Sequence, residues 1–370
     1  MNQRPLTRTS SFGEYDIIIH RASLLSVLYE SLGEDKNRIL TGKKVTEILS
    51  KNNHVTVTCK DGSIHEGSIL IGADGVGSYA RKVVRSLLLE AGVTDVDEPR
   101  PFLTTFKMVW FSAPRPEHLV PGTGPQSFGK PSAVQMLVGK EKCWIFLYER
   151  LETPTKESQH YTAEDTAAMV AKWGHLTCDD GILIKDLFAK HTKAGLINLE
   201  EGVAKKWSAG RVVLVGDAAH KFTPSAALGY NNGVQDIAVL LNLVVPVSRA
   251  SNPTLDVLTT AFERYRELRA VRVEKDYQSS AVVTRSQTMD TFFLWFMARL
   301  VIPYFGFVQR KLVTAGSNER IREAYPLGVL SGPTEEPFHG NTPWEQTISA
   351  VKAGCDALEA SASNGSAKFQ

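Results

Sequence analysis

Val212-Val-Leu-Val-Gly-Asp-Ala-Ala-His-Lys-Phe-Thr-Pro-Ser-Ala-Ala-Leu-Gly-Tyr-Asn-Asn-Gly-Val-Gln-Asp236 is the stretch on which the fold turns. Its first four residues are valine or leucine, bounded by Arg211 and Gly216. That run is too short for a buried helix and suits a strand covered on both faces. It ends in Gly-Asp, which sets Asp217 at the carboxyl edge of a sheet, where α/β proteins hold their ligands. A carboxylate at that edge matches a ribose or ribityl hydroxyl. Pro224 and Gly229 then break the chain before a helix predicted over 233–244. Free amides at its N-terminus favour developing negative charge on a ring or a phosphate. His220, inside the turn, reads either as a base or as a structural hydrogen-bonding histidine.

The same grammar occurs upstream in Leu70-Ile-Gly-Ala-Asp-Gly-Val-Gly-Ser-Tyr-Ala-Arg81. A buried strand delivers Asp74 to a turn made tight by Gly75 and Gly77, whose lack of Cβ permits positive φ and close approach of a ligand. Two readings stand for it: a ligand-facing turn, or a capped helix start with a structural Asp74–Arg81 pair. Around these segments the pattern predicts a β-prone stretch over 15–19 and an amphipathic helix over 20–32. That helix has Leu24, Leu25 and Leu28 on one side and stops at Gly33. Asp61-Gly62 marks a hairpin. Strand signals dominate from 100 to 197, at 104–111, 133–138 and 143–148, with helices over 163–173 and 252–277. The fold class is therefore mixed α/β. Two strand–turn–helix parts, 1–99 and 198–285, make one interleaved domain, and 100–197 forms a β-rich second domain. An apolar helical segment (286–335) and a loose polar tail (336–370) follow.

Charge and composition exclude other classes. The chain has 370 residues, 42 Lys+Arg against 40 Asp+Glu, 43% apolar and 22% charged. A net charge of +2 offers no electrostatic case for nucleic acid. Cys59, Cys143, Cys178 and Cys355 form no CxxC pair, so free thiols in a reducing, cytoplasmic setting are expected. The polar start, MNQRPLTRTSSFGEYD, has no secretory h-region. Residues 291–308, TFFLWFMARLVIPYFGFV, are dense in apolar and aromatic side chains. Arg299 and Pro303 argue against a bilayer-spanning helix. A buried or oligomer-facing helix remains, or one lying on a membrane in peripheral contact.

Taken together and in this order, the two turns resemble the class A flavin-dependent monooxygenases of the para-hydroxybenzoate hydroxylase type. They look most like the fungal FAD-dependent monooxygenases of meroterpenoid and indole-diterpene pathways. Gly72-Ala-Asp-Gly-Val-Gly-Ser matches that family's DG motif, which implies contact of Asp74 with FAD and the nicotinamide cofactor. Gly216-Asp-Ala-Ala-His-Lys-Phe-Thr-Pro matches its GD motif, which implies that Asp217 binds the ribityl chain and that Gly229 and Tyr230 meet the flavin. His20-Arg-Ala-Ser-Leu-Leu resembles the helix whose arginine, here Arg21, contacts FAD. The implied fold is a partial Rossmann-like FAD-binding domain interleaved with a β-sheet substrate domain. The implied activity is hydroxylation or epoxidation of a hydrophobic small molecule with NAD(P)H and O₂.

Two features depart from the pattern. This chain carries no GxGxxG unit for the ADP pyrophosphate, and Ala226-Ala227 stands where the family has a glycine. They keep open a flavin-free isomerase or cyclase working by acid–base chemistry through Tyr148, His220 or Asp217, and an inactive truncated form. Trp144, Phe146 and Tyr148 alternate on one strand and are candidates to line the substrate cavity.

Overall fold

The computed structural model describes residues 17–178, 181–250 and 253–328. The chain enters through α1 (Arg21–Ser31) and a 3₁₀ turn (Gly33–Arg38), then forms β1 (Val45–Ser50), β2 (Val55–Cys59) and β3 (Ile64–Gly67). These three pair antiparallel in the order β1-β2-β3, with the second hairpin turning at Gly62. The strand β4 (Leu70–Gly72) and helix α2 (Tyr79–Glu90) follow. Next come β5 (Leu103–Pro114), β6 (Gln126–Ser127), β7 (Ser132–Val138), β8 (Lys142–Thr155), α3 (Ala163–Trp173), α4 (Ile184–Phe188) and β9 (Lys193–Val203). Then β10 (Ser208–Ala209), β11 (Val212–Leu214), β12 (His220–Lys221), α5 (Gly229–Ala250) and α6 (Leu255–Gln287) complete the central part. The last described helices are α7 (Phe292–Phe296) and α8 (Ile302–Arg322), joined by a π turn (Met297–Val301).

Two sheets place the chemistry. β11 lies between antiparallel β10 and parallel β4, with Leu214 opposite Gly72, so both strands end at one level. Val212, Val213 and Leu214 are buried on both faces, as the apolar run predicts, under Val84 of α2 and Val239, Leu240 and Leu243 of α5. The other sheet runs β12-β9-β5-β8-β7-β6, all antiparallel. Its inner face (Val109, Phe111, Val134, Met136, Ile145 and Leu147) is covered by α3 and α4. The helix α3 starts at the predicted residue because Thr162 and Asp165 form a reciprocal capping box.

Several expectations need correction. Ile17–Ile19 do not form a strand: they are exposed coil, and a β-prone run becomes a strand only against a partner. Tyr15 and Asp16, like the tail after Glu335, lie outside the described residues. The predicted N-terminal helix forms as α1 but buries none of its residues, and Leu25 and Leu28 face solvent. The helix predicted over 252–277 continues to Gln287. Its last turns are held by Ser280 and Thr284, which bond Thr223 and Ser225 across the core. Cys59, Cys143 and Cys178 are buried and form no disulfide among the described residues, and Cys355 lies outside them.

Candidate functional site: the paired DG and GD turns

Because β4 and β11 are parallel neighbours, Asp74 and Asp217 emerge from one sheet edge, two and three residues beyond the paired Gly72 and Leu214. Their environments differ. Asp74 turns inward: one carboxylate oxygen accepts the Ser78 hydroxyl, the other the Tyr79 and Ala80 amides at 2.6 and 3.0 Å. Ser78, the residue before α2, accepts from the Arg81 amide at 2.9 Å. The capped-turn reading of Asp74 thus describes its contacts.

Gly75-Val-Gly-Ser-Tyr-Ala80 also has G-x-G-x-x-A spacing between a strand and a helix, a dinucleotide signature passed over in the sequence. Ala80 serves the packing role of its last position, since a Cβ on Gly72 would come within 2.5 Å of the Ala80 Cβ. The α2 N-terminus, however, is already filled by the Asp74 carboxylate. A phosphate there would meet a like charge instead of free amides.

The expected Asp74–Arg81 pair does not form. Buried Arg81 donates to the Ala218 carbonyl at 2.8 Å and to Val76 O at 2.5 Å, and its guanidinium lies 4.6 Å from the Phe102 ring centroid. Arg81 therefore ties the first turn to the second. Burial lowers its pKa while the Asp74 and Asp97 charges work the other way, and an arginine stays charged regardless.

The second turn faces outward. The Asp217 side chain is 38% exposed and pairs with Lys221. Gly229 opens α5 directly opposite: a Cβ built on it would stand 3.8 Å from Asp217 Oδ1. Tyr230, beside it, is 57% exposed. The backbones of Gly216 and Gly233 approach so closely that a Cβ on either lies 3.8 Å from the other's Cα. Gly216, at φ +56°, is also in a conformation natural to glycine. Ala227, just before the helix, is held left-handed at φ +55°, the geometric reason a glycine suits this neighbourhood.

His220 is fully buried. Its Nε2 bonds Asp236 Oδ2 at 2.7 Å, its ring packs against Trp207 and Phe222, and Nδ1 has no hydrogen-bond partner. Its ring is closed to solvent there, and the hydrogen-bonding reading fits its contacts. The structure also supplies a network that sequence reasoning missed. Asp236 further accepts from the Gly216 amide at 2.8 Å and Arg269 Nε at 2.9 Å. Arg269 reaches Asn232 Oδ1 at 2.6 Å, and Asn232 donates to Asp276 at 2.9 Å. The signal was present as two polar residues four apart, Asn232 and Asp236, but the predicted helix began at 233, after the first of them.

Tyr148 lies elsewhere, on the outer face of the six-stranded sheet. It is buried among Phe106, Met108 and Leu199 and donates to Gln135 Oε1 at 3.0 Å. Burial pushes its phenol far above the ordinary value, so it is a proton donor at neutral pH and not a base. Trp144 and Phe146 on the same strand are half-buried. Arg21 is exposed on α1. The site thus brings together Asp74, Asp217, Gly229 and Tyr230, and separates them from Tyr148.

These residues fit the ribityl and ring side of FAD. Asp217 is accessible, α5 begins beside it, and a Cβ on Gly75 or Gly77 meets nothing within 4 Å, so the turn surface is open. An open strand edge, a carboxylate and a helix N-terminus are the features with which α/β folds hold a nucleotide cofactor. The chain belongs to the FAD binding domain family, whose pattern matches residues 8–275. It is 30% identical over 311 residues to the FAD-dependent monooxygenase olcE of Penicillium canescens, covering 82% of this chain and 67% of that one. Against the FAD-dependent monooxygenase esdpE of Penicillium shearii it is 29% identical over 351 residues, 92% and 73% of the two chains. In fold it is similar to Klebsiella pneumoniae HpxO complexed with FAD and uric acid, with a TM-score of 0.60 and 20% identity over 83% of this chain and 72% of that one. A salicylate hydroxylase substrate complex gives the same TM-score and identity, covering 84% and 74%. The protein is an oxidoreductase of the FAD-dependent monooxygenase kind. Among the described residues, no helix is long and apolar enough to cross a membrane.

Proposed function

We propose that this monooxygenase hydroxylates or epoxidises a hydrophobic secondary-metabolite intermediate of meroterpenoid or polyketide type, with NAD(P)H as reductant and O₂ as oxygen source. The observation that carries this reading is the outer face of the six-stranded sheet. Cross-strand register puts Phe106, Met108, Trp110, Phe146, Tyr148 and Ile197 on one side of it. Trp110 and Phe146 are half-buried and Ile197 exposed, so the face has apolar area left for a ligand. Gly195 lets Trp110 lie flat, since any Cβ there would come within 3.0 Å of its indole Nε1. The β-rich 100–197 segment then serves as the substrate domain.

Bound FAD supplies the electron transfer and oxygen activation. The chain's own groups position and shield. Asp217 would accept a hydrogen bond from a ribityl hydroxyl, and the α5 N-terminus at Gly229 and Tyr230 would stabilise negative charge on the ring. Arg21, exposed on α1, would supply a further cofactor contact. The aromatic face excludes water and holds the substrate by apolar contact, with the Tyr148 phenol and Gln135 as its polar marks.

The test is a FAD titration followed by turnover with NADPH and a prenylated phenol. Visible flavin absorbance retained after desalting, and a product heavier by one oxygen atom, support the reading. Asp217→Asn weakens FAD binding by about tenfold or more, the worth of a hydrogen bond to a charged group. Colourless protein after desalting, or NADPH oxidation yielding only hydrogen peroxide with such substrates, overturns it.

A further inference from the structure

An exposed apolar run follows α6, outside the paired turns. From Thr291 onward the chain presents Phe292, Phe293, Trp295, Phe296, Leu300 and Tyr304 to solvent, with Phe292, Phe293 and Tyr304 at 76, 65 and 77% exposure. Soluble proteins scatter such residues singly; six within thirteen positions form a patch that requires a partner. The run is fastened at its root. Arg150 on β8 bonds Asp290 at 2.7 Å, and Thr291 caps α7 by accepting from the Leu294 amide at 3.2 Å. The aromatic rings are therefore carried on an ordered helix start, with Phe292 and Trp295 stacked 5.7 Å apart.

Charge decides between partners. Residues 291–318 contain Arg299, Arg310 and Lys311 and not one Asp or Glu, in a chain whose overall balance is nearly even. A second copy of the same surface would oppose the exposed Arg299 and Lys311 of each to the other. An anionic lipid surface complements them, and Trp, Tyr and Phe suit the boundary between headgroup and acyl chain. No described helix is long and apolar enough to cross a bilayer, so a lipid partner would be met at its surface.

We infer that the 291–304 face docks the enzyme on an anionic phospholipid surface, aromatic rings inserted and Arg299 at the headgroups. The inference is independent of the flavin chemistry.

The experiment is flotation of the FAD-loaded full chain with vesicles of phosphatidylcholine alone or mixed with phosphatidylserine, at low and high salt. Binding is expected on the mixed vesicles and is weaker at high salt. Phe292→Ser/Phe293→Ser lowers it by at least about tenfold, and Arg299→Gln by about fivefold at low salt. Val271→Ser/Val282→Ser, which removes exposed apolar groups from α6 instead, leaves it unchanged. All three keep the wild-type melt because the altered side chains are exposed. No flotation on either vesicle, or flotation indifferent to the Phe292/Phe293 change, overturns the inference. So does a dimer that the same double variant converts to monomer without any vesicle binding, which would assign the face to a second copy.

Discussion

Asp236 Oδ2 holds both His220 and the start of the GD turn: it accepts a hydrogen bond from His220 Nε2 at 2.7 Å and from the Gly216 amide at 2.8 Å. A carboxylate only accepts, so Nε2 is the protonated nitrogen. The other oxygen takes Arg269 Nε at 2.9 Å, which fastens the turn to α6. Asp217, the half-exposed carboxylate of the turn, therefore stands on a platform built by Asp236 one step below it.

Asp236→Asn leaves Arg269 buried beside a neutral amide, and we expect a loss of about 3–5 kcal/mol in urea unfolding at pH 7. The loss is pH-dependent in a fixed direction. Burial pushes the Asp236 carboxyl up, but His220 and Arg269 outweigh it and hold it below the ordinary value. A depressed carboxylate contributes stability above its unfolded pKa of about 4 and loses it as pH falls through the folded value. The gap between wild type and Asp236→Asn should therefore narrow below about pH 4. A gap constant from pH 7 to 3 would falsify the assignment.

Ala227→Gly relieves the left-handed backbone. An L-residue there costs about 1–2 kcal/mol, and glycine returns about 0.5–1 kcal/mol of that through unfolded-chain entropy. A net gain of about 0.5–1 kcal/mol in denaturant melts is expected, and a loss would show that the alanine methyl packs usefully.

The buried Arg211 guanidinium is bound among the described residues by carbonyls: Asn52 O and Ser68 O at 2.6–2.9 Å, and Pro253 O at 2.8 Å. It clamps the loop between β1 and β2, the strand β4 and the approach to α6. Arg211→Met strands these carbonyls and should cost about 3 kcal/mol or more in stability. A melt within about 0.5 kcal/mol of wild type would mean that water replaces the clamp.

Tyr148→Phe removes one hydrogen bond to Gln135 and should cost about 1 kcal/mol. FAD affinity should not change, because Tyr148 sits on the sheet face and not at the turns. Its phenol, held protonated by burial, predicts no basic limb below about pH 10 in the rate profile that Tyr148→Phe abolishes. Appearance of such a limb in wild type alone would make Tyr148 a titrating group.

The legible parts of this protein were those whose cause is local. Val212–Leu214 declares a buried strand by its side chains, Thr162 and Asp165 mark a helix start by their spacing, and Asp61-Gly62 marks a turn by its backbone freedom. The paired Asp-Gly and Gly-Asp turns were legible as candidates for the same reason. What each aspartate does was not. Asp74 and Asp217 look alike in sequence, yet one caps α2 and the other stands at the edge. Likewise α1 is a helix by periodicity, but burial of its apolar side depends on a neighbour, and periodicity cannot supply one.

By itself the sequence determined the strand–turn–helix order, the mixed α/β class and the family, because hydrophobic period and turn chemistry act within a few residues. Only the tertiary structure decided that Arg81 joins the two turns across 137 positions and that Asp236, His220 and Arg269 share one buried charge network. Contacts over such separations are selected by the packing of whole elements. A buried charge keeps its ionised form only where that packing brings it a partner.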